Sequence, residues 1–155
     1  MTLPDLPLEG GCRCGRVRFC IGAAPLMEMA CHCRVCQQMT SGAFSTGLLV
    51  PADAFEVEGE TVAGGTPSEA RDHRHCDRCK SWLFTVVRAR PGTVNVRATL
   101  LDDPSWFAPW METQTAEGLR WAKTGAARSY PRFPPPEELP ALLADYRAER
   151  RGRQP

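Results

Sequence analysis

Polar and apolar residues alternate across positions 16–21, the period-2 pattern of a half-buried strand. Short runs of the same kind recur. Residues 45–50 end at Pro51, residues 55–58 alternate and stop at Gly59, and residues 70–75 run into a cysteine pair. Residues 82–87 are rich in aromatic and β-branched side chains, Pro91-Gly92 marks a turn, and residues 93–98 follow as another strand. Short strands between turn signals predict a mainly β fold, a sandwich or a barrel. The C-terminal part has a different period. Leu139, Leu142, Leu143 and Tyr146 stand at i, i+3, i+4 and i+7, one face of a short helix with Pro140 in its first turn. Residues 1–9 form a proline-containing leader, expected to be loosely held. Arg147, Arg150, Arg151 and Arg153 suit a helix C-terminus, and residues 147–155 are expected to form a disordered tail.

Composition sharpens this picture in a few places. A length of 155 residues suits a single domain, 1–155. Thirteen glycines and fourteen prolines interrupt the chain often, which favours short strands over long helices. A formal net charge of +1 provides no field to attract nucleic acid or an anionic membrane, and neither is expected as a partner. No apolar run approaches the roughly 20 residues of a membrane span. Residues 1–7 lack the basic and apolar regions of a signal peptide, so the expected compartment is the reducing cytoplasm.

The candidate chemistry lies in cysteine. Seven of the eight cysteines fall in three clusters: Cys12 and Cys14; Cys31, Cys33 and Cys36; Cys76 and Cys79. Eight in 155 residues is about 5%, below the roughly 8–10% of disulfide scaffolds. In a reducing compartment such spacing points to metal more than to bridges. The two pairs are each followed by a strand, and together they supply the four thiolates of a closed structural zinc site. Cys31, Cys33 and Cys36 then remain for a second ion with one position open. Three thiolates around Zn²⁺ leave a net charge of about −1, which suits holding a nucleophilic thiolate more than generating hydroxide. A thiol substrate is the natural fourth ligand; His32, between two of the cysteines, could close the shell instead. Cys33 and Cys36 also form a C-x-x-C pair, but no βαβ pattern surrounds them to favour a redox role. The eighth, Cys20, reads as a buried spare thiol.

Gly11-Cys12-Arg13-Cys14-Gly15-Arg16-Val17, Cys31-His32-Cys33-Arg34-Val35-Cys36-Gln37 and Cys76-Asp77-Arg78-Cys79 resemble the glutathione-dependent formaldehyde-activating enzyme family, which includes centromere protein V. Leu101-Asp102-Asp103-Pro104 matches the segment after the core sheet of these proteins. The resemblance implies an Mss4-like fold of small stacked antiparallel sheets around a structural zinc, with a short C-terminal helix added by the pattern above. It implies two zinc ions per chain, one structural on Cys12, Cys14, Cys76 and Cys79, and one reactive and labile on Cys31, Cys33 and Cys36. It further implies the activity of an S-(hydroxymethyl)glutathione synthase, a carbon–sulfur lyase, with glutathione as the thiol and formaldehyde or a similar small carbonyl as its partner. On this reading His32 or water gives a proton to the new alkoxide, and Arg34 or Lys80 meets the carboxylates of the thiol. Trp106, Phe107, Trp110 and Trp121 wall a pocket or fill the core. The alternative is a non-enzymatic zinc-binding β module. Lys80, and Leu100 or Thr99 one step earlier, stand where relatives carry glycine, and the segment Pro109-Trp110-Met111-Glu112-Thr113 lacks a histidine common there, so a weak or altered activity is expected.

Overall fold

A computed structural model describes residues 4–65 and 68–151. Eleven strands and two α-helices follow in chain order. They are β1 (Leu8–Gly11), β2 (Arg18–Ile21), β3 (Met27–Cys31), α1 (Arg34–Thr40), β4 (Ser45–Pro51), β5 (Phe55–Glu58), β6 (Thr61–Ala63), β7 (Arg71–Cys76), β8 (Trp82–Val87), β9 (Thr93–Val96), β10 (Met111–Thr113), β11 (Arg128–Ser129) and α2 (Leu139–Arg151). They build a three-stranded sheet, β1-β2-β5, and an eight-stranded sheet, β11-β10-β3-β4-β9-β8-β7-β6. The fold is therefore mainly β, with two sheets and a short C-terminal helix.

The ladders are antiparallel with two exceptions. β10 runs parallel to β3 on one side and to β11 on the other. A parallel neighbour requires a crossover rather than a hairpin, and the long stretch after β9 provides it. The end of the leader, at Leu8 and Glu9, is more ordered than expected. Leu8 is buried, and β1 pairs with β2 from Leu8↔Ile21 to Gly11↔Arg18. Cys20, expected inside, is half-buried, because its neighbours Phe19 and Ile21 take the core face of β2. The C-terminal helix runs to Arg151 and so takes in Arg147, Arg150 and Arg151, positions also assigned to the expected tail; Arg153 lies outside the described residues.

One core lies between the sheets. Phe19 and Ile21 from β2 meet Leu48, Val50, Phe84, Val94 and Val96 from the inner face of the large sheet. Each such side chain contributes roughly 1.5–3 kcal/mol on burial. A bulge in the β7–β8 ladder lets Leu83 and Phe84 both enter this core, while Trp82 stays on the outer face with Thr85. A second core lies on that outer face, where Leu142 and Tyr146 of α2 cover Met27, Leu49, Trp110 and Met111. Leu139, Leu142, Leu143 and Tyr146 thus form the helix face that the 3.6-residue period predicts, although only Leu142 and Tyr146 are fully buried. The rest of the outer face, beyond α2, carries Cys31, Ser45, Gly47, Asn95, Arg97, Thr85 and His73.

Candidate metal centres

Two turns bring four thiols together. In the first, Cys12 N–H donates to the Val17 carbonyl at 2.9 Å and Gly15 N–H to the Cys12 carbonyl at 3.0 Å, with Gly15 at φ +76°. In the second, Lys80 N–H donates to the Cys76 carbonyl at 3.1 Å and Cys76 N–H to the Ser81 carbonyl at 3.0 Å. Lys80 holds φ +58°, the left-handed region, so a lysine adopts here the turn that a glycine makes without strain. Arg13 N–H ties the first turn to Ser81 Oγ of the second at 3.3 Å. The sulfurs of Cys12, Cys14, Cys76 and Cys79 lie within 4.8 Å of one another. Cys12–Cys14 is 3.4 Å and Cys14–Cys76 is 3.8 Å. A tetrahedron with metal–sulfur bonds of about 2.3 Å has edges of about 3.8 Å, so the four sulfurs fit a zinc-sized ion. Val17 N–H donates to Cys12 Sγ at 3.3 Å. The Ser81 hydroxyl beside Cys79 pulls that thiol down to about 5.

One short segment supplies the other three thiols. Cys31 ends β3, Cys33 caps α1 with extended backbone (φ −60°, ψ 151°), and Cys36 lies in the first turn of the helix. Cys36 N–H donates to Cys33 Sγ at 3.4 Å, which sets the turn that folds the loop back on itself. The three sulfurs again lie within 4.8 Å of one another, and among the described residues no histidine nitrogen or carboxylate oxygen joins the set. Hydrogen bonds from Cys31 and Cys36 draw the Cys33 thiol down to about 2. The Cys31 thiol is pushed up by its contact with Cys33, and the Cys36 thiol by its contacts with Cys31 and Cys33. Three thiolates this close repel one another, and a cation at their centre would allow all three to ionise. An all-sulfur donor set suits zinc.

His32 does not close this group. Its ring turns to β10, where Nε2 lies 3.1 Å from Glu112 Oε2, and Thr124 Oγ1 donates to the same oxygen at 2.6 Å. His32 is 2% exposed, and its Nδ1 is buried without a protein partner. It borders a cavity of about 210 Å³ that Glu112, Thr115, Gly118, Arg120 and Lys123 also line. The loop is anchored by further bonds. His32 N–H donates to the Thr113 carbonyl at 3.0 Å. Gln37 Nε2 donates to the carbonyls of His32 and Glu117, at 2.7 and 2.9 Å. Arg34 N–H donates to Glu117 Oε2 at 2.7 Å, and the Arg34 side chain is exposed. Lys80 stands in the four-thiol turn, paired with Asp77 at 3.2 Å. The structure therefore does not bring the two cations expected at the thiol's carboxylates to one place.

The aromatic quartet divides. Trp106 and Trp110 are buried in the two different cores, Phe107 packs partly against the first, and Trp121 is 75% exposed. Glu112 and Gln37, which bond to the segment of the three thiols, and Arg97, buried on the same outer face, are residues that the cysteine spacing does not reveal. Arg97 has a trace in the sequence, because Asn95 and Arg97 alternate with the core residues Val94 and Val96 and so share the outer face. Glu112 lies in the segment expected to carry a histidine, and there Met111 fills the second core.

The model of the glutathione-dependent formaldehyde-activating enzyme family matches residues 7–117, more than half of the chain. A Halomonas elongata protein that carries this enzyme name provisionally is 30% identical over 104 residues, covering 61% of this chain and 66% of its own. The chain thus spans just under two thirds of that relative's length. A crystal structure of a Rhodobacter sphaeroides protein superposes with a TM-score of 0.51 at 18% identity, covering 61% of this chain and 87% of that one. At that identity the likeness concerns the fold.

Proposed function

This chain belongs to the glutathione-dependent formaldehyde-activating enzyme family, and we propose that it adds a thiol of the glutathione type to formaldehyde or a similar small carbonyl, as a zinc-dependent carbon–sulfur lyase working in the synthetic direction. The observation that carries this reading is the three-thiol loop: three sulfurs within 4.8 Å of one another and, among the described residues, no fourth cysteine, histidine or carboxylate in the set. A zinc ion held by Cys31, Cys33 and Cys36 would supply one thing, a position at which an incoming thiol stays ionised near neutral pH. The family name supports glutathione as that thiol.

In the proposed reaction sulfur bonds to the carbonyl carbon, the C=O π pair moves to oxygen, and the oxygen takes a proton. The net change is S–H added across C=O, so a proton must pass from sulfur to oxygen. His32 is the proposed carrier. With its Nε2 committed to Glu112, the atom left for transfer is Nδ1. The loop's anchors, Gln37 and the Thr113 carbonyl, hold the three sulfurs in place while substrate comes and goes. Arg34, exposed at the head of α1, is the proposed contact for a carboxylate of the thiol.

A second reading, a zinc-binding β module, draws on exposed apolar side chains: Trp121 at 75%, Phe133 at 51% and Val35 at 49%. Titration of the cobalt-substituted protein with glutathione separates the two. New sulfur-to-metal charge-transfer absorption, and faster condensation of glutathione with formaldehyde, are expected. An unchanged spectrum and rate at millimolar glutathione would favour the binding module.

A further inference from the structure

Arg97 is a buried cation with no carboxylate beside it. It is 6% exposed, and among the described residues no ion pair includes it. Its side chain makes one hydrogen bond, Nη2 to the Asn95 carbonyl at 3.2 Å, and its Nε is buried without a protein partner. The guanidinium lies over the Trp82 ring, 4.1 Å from the centroid. A π face and one carbonyl offset only part of the cost of burying a full charge.

The strand register locates the missing negative charge. β4 and β9 pair Leu48 with Val96, which sets Arg97 opposite Gly47. β3 and β4 pair Met29 with Gly47 and Cys31 with Ser45. Arg97, Gly47 and Met29 therefore form one cross-strand row on the outer face, and Ser45 and Cys31 form the next. Gly47 leaves that row clear. A Cβ placed on it would lie 3.4 Å from Arg97 Nη2 and 2.2 Å from Asn95 Oδ1. The guanidinium thus lies above Gly47 of β4, one strand away from β3, which ends at Cys31. Burial pulls its pKa down to about 10.

We propose that Arg97 is the counter-cation of the three-thiol site, balancing the one negative charge left over when Cys31, Cys33 and Cys36 surround a divalent ion. Three thiolates and a dication sum to −1, and the guanidinium brings the buried group to neutrality. Arg97 touches neither substrate nor the ion in this role; it is a positioning residue that acts through the thiolates. The inference rests on metal binding at this loop and is independent of which thiol or carbonyl the protein uses.

The test compares wild type, Arg97→Met and Arg97→Lys by competition of each site's cobalt or zinc against a chromophoric chelator. Arg97→Met should weaken the three-thiol site by about 10- to 100-fold and leave the four-thiol site within about twofold. Arg97→Lys, which keeps the charge, should retain most of the affinity. Thermal melts add a readout that simple packing would not produce. Arg97→Met should lower the stability of the metal-loaded protein but raise it in a Cys36→Ser background, where the cation has lost its partner. This last comparison decides the matter if Arg97→Met alone fails to fold. Affinity at the three-thiol site within about twofold of wild type in Arg97→Met would overturn the proposal. So would equal losses in Arg97→Met and Arg97→Lys, or destabilisation by Arg97→Met in both backgrounds. A wild type that takes up no metal at this loop sinks the site reading itself, and the proposal with it.

Discussion

The two thiol groups share their chemistry and differ in where their cysteines originate. Cys14 and Cys76 are 62 residues apart, in turns that join β1 to β2 in the small sheet and β7 to β8 in the large one. Cys31, Cys33 and Cys36 come from one strand end and the helix after it. An ion at the first group would fasten two sheets together. An ion at the second would organise a loop that Gln37 and the Thr113 carbonyl already hold. On the proposed reading, identical donors would serve architecture or chemistry according to how much chain they span.

Cys79→Ser attacks the comparison where the expected effect is largest. Structural zinc contributes folding free energy directly, on a scale of about 10–16 kcal/mol in small zinc-folded peptides. A domain of this size shifts its melting midpoint by roughly 2–4 °C per kcal/mol. The variant should therefore lose more than about 10 °C, or its cooperative transition altogether, by circular dichroism. Cys36→Ser should change the midpoint by less than about 4 °C while native mass spectrometry shows metal falling from two ions to one. Equal damage from the two substitutions would erase the distinction between the groups. The smallest effect is expected at Lys80→Gly. Relief of a left-handed lysine in the four-thiol turn should stabilise the protein by about 1 kcal/mol, raising the midpoint by roughly 2–4 °C. A lowered midpoint would show that the exposed ammonium, through Asp77, matters more than the backbone.

Both thiol groups were legible in the sequence because their ligands sit in local motifs whose spacing survives without a fold. The strands with a clear period were legible for the same reason: β5 and β8 occupy the positions expected. β3 was not, since Met27-Glu28-Met29-Ala30-Cys31 lies between two neighbours with both faces largely covered and shows no alternation. α1 is seven residues long and bears a buried Gln37, so tertiary hydrogen bonds rather than an apolar stripe hold it. β10 and β11 are short and pair parallel, without hairpin signals. The contact of His32 with Glu112 spans 80 residues, and the neighbourhood of Arg97 depends on the register of three strands. No local pattern encodes either one.

The four-thiol joint also bears on how the chain finds its fold. A tie from Cys14 to Cys76 closes a loop of about 60 residues, and by polymer statistics such a closure removes roughly 4 kcal/mol of chain entropy from the unfolded ensemble. The three-thiol loop lies within that ring. Once the ends are joined, the β2–β5 and β7–β8 regions begin their search as neighbours, and the effective sequence separation of contacts across the joint falls to a few residues. Metal captured early would make a slow, non-local topology behave like a faster, more local one.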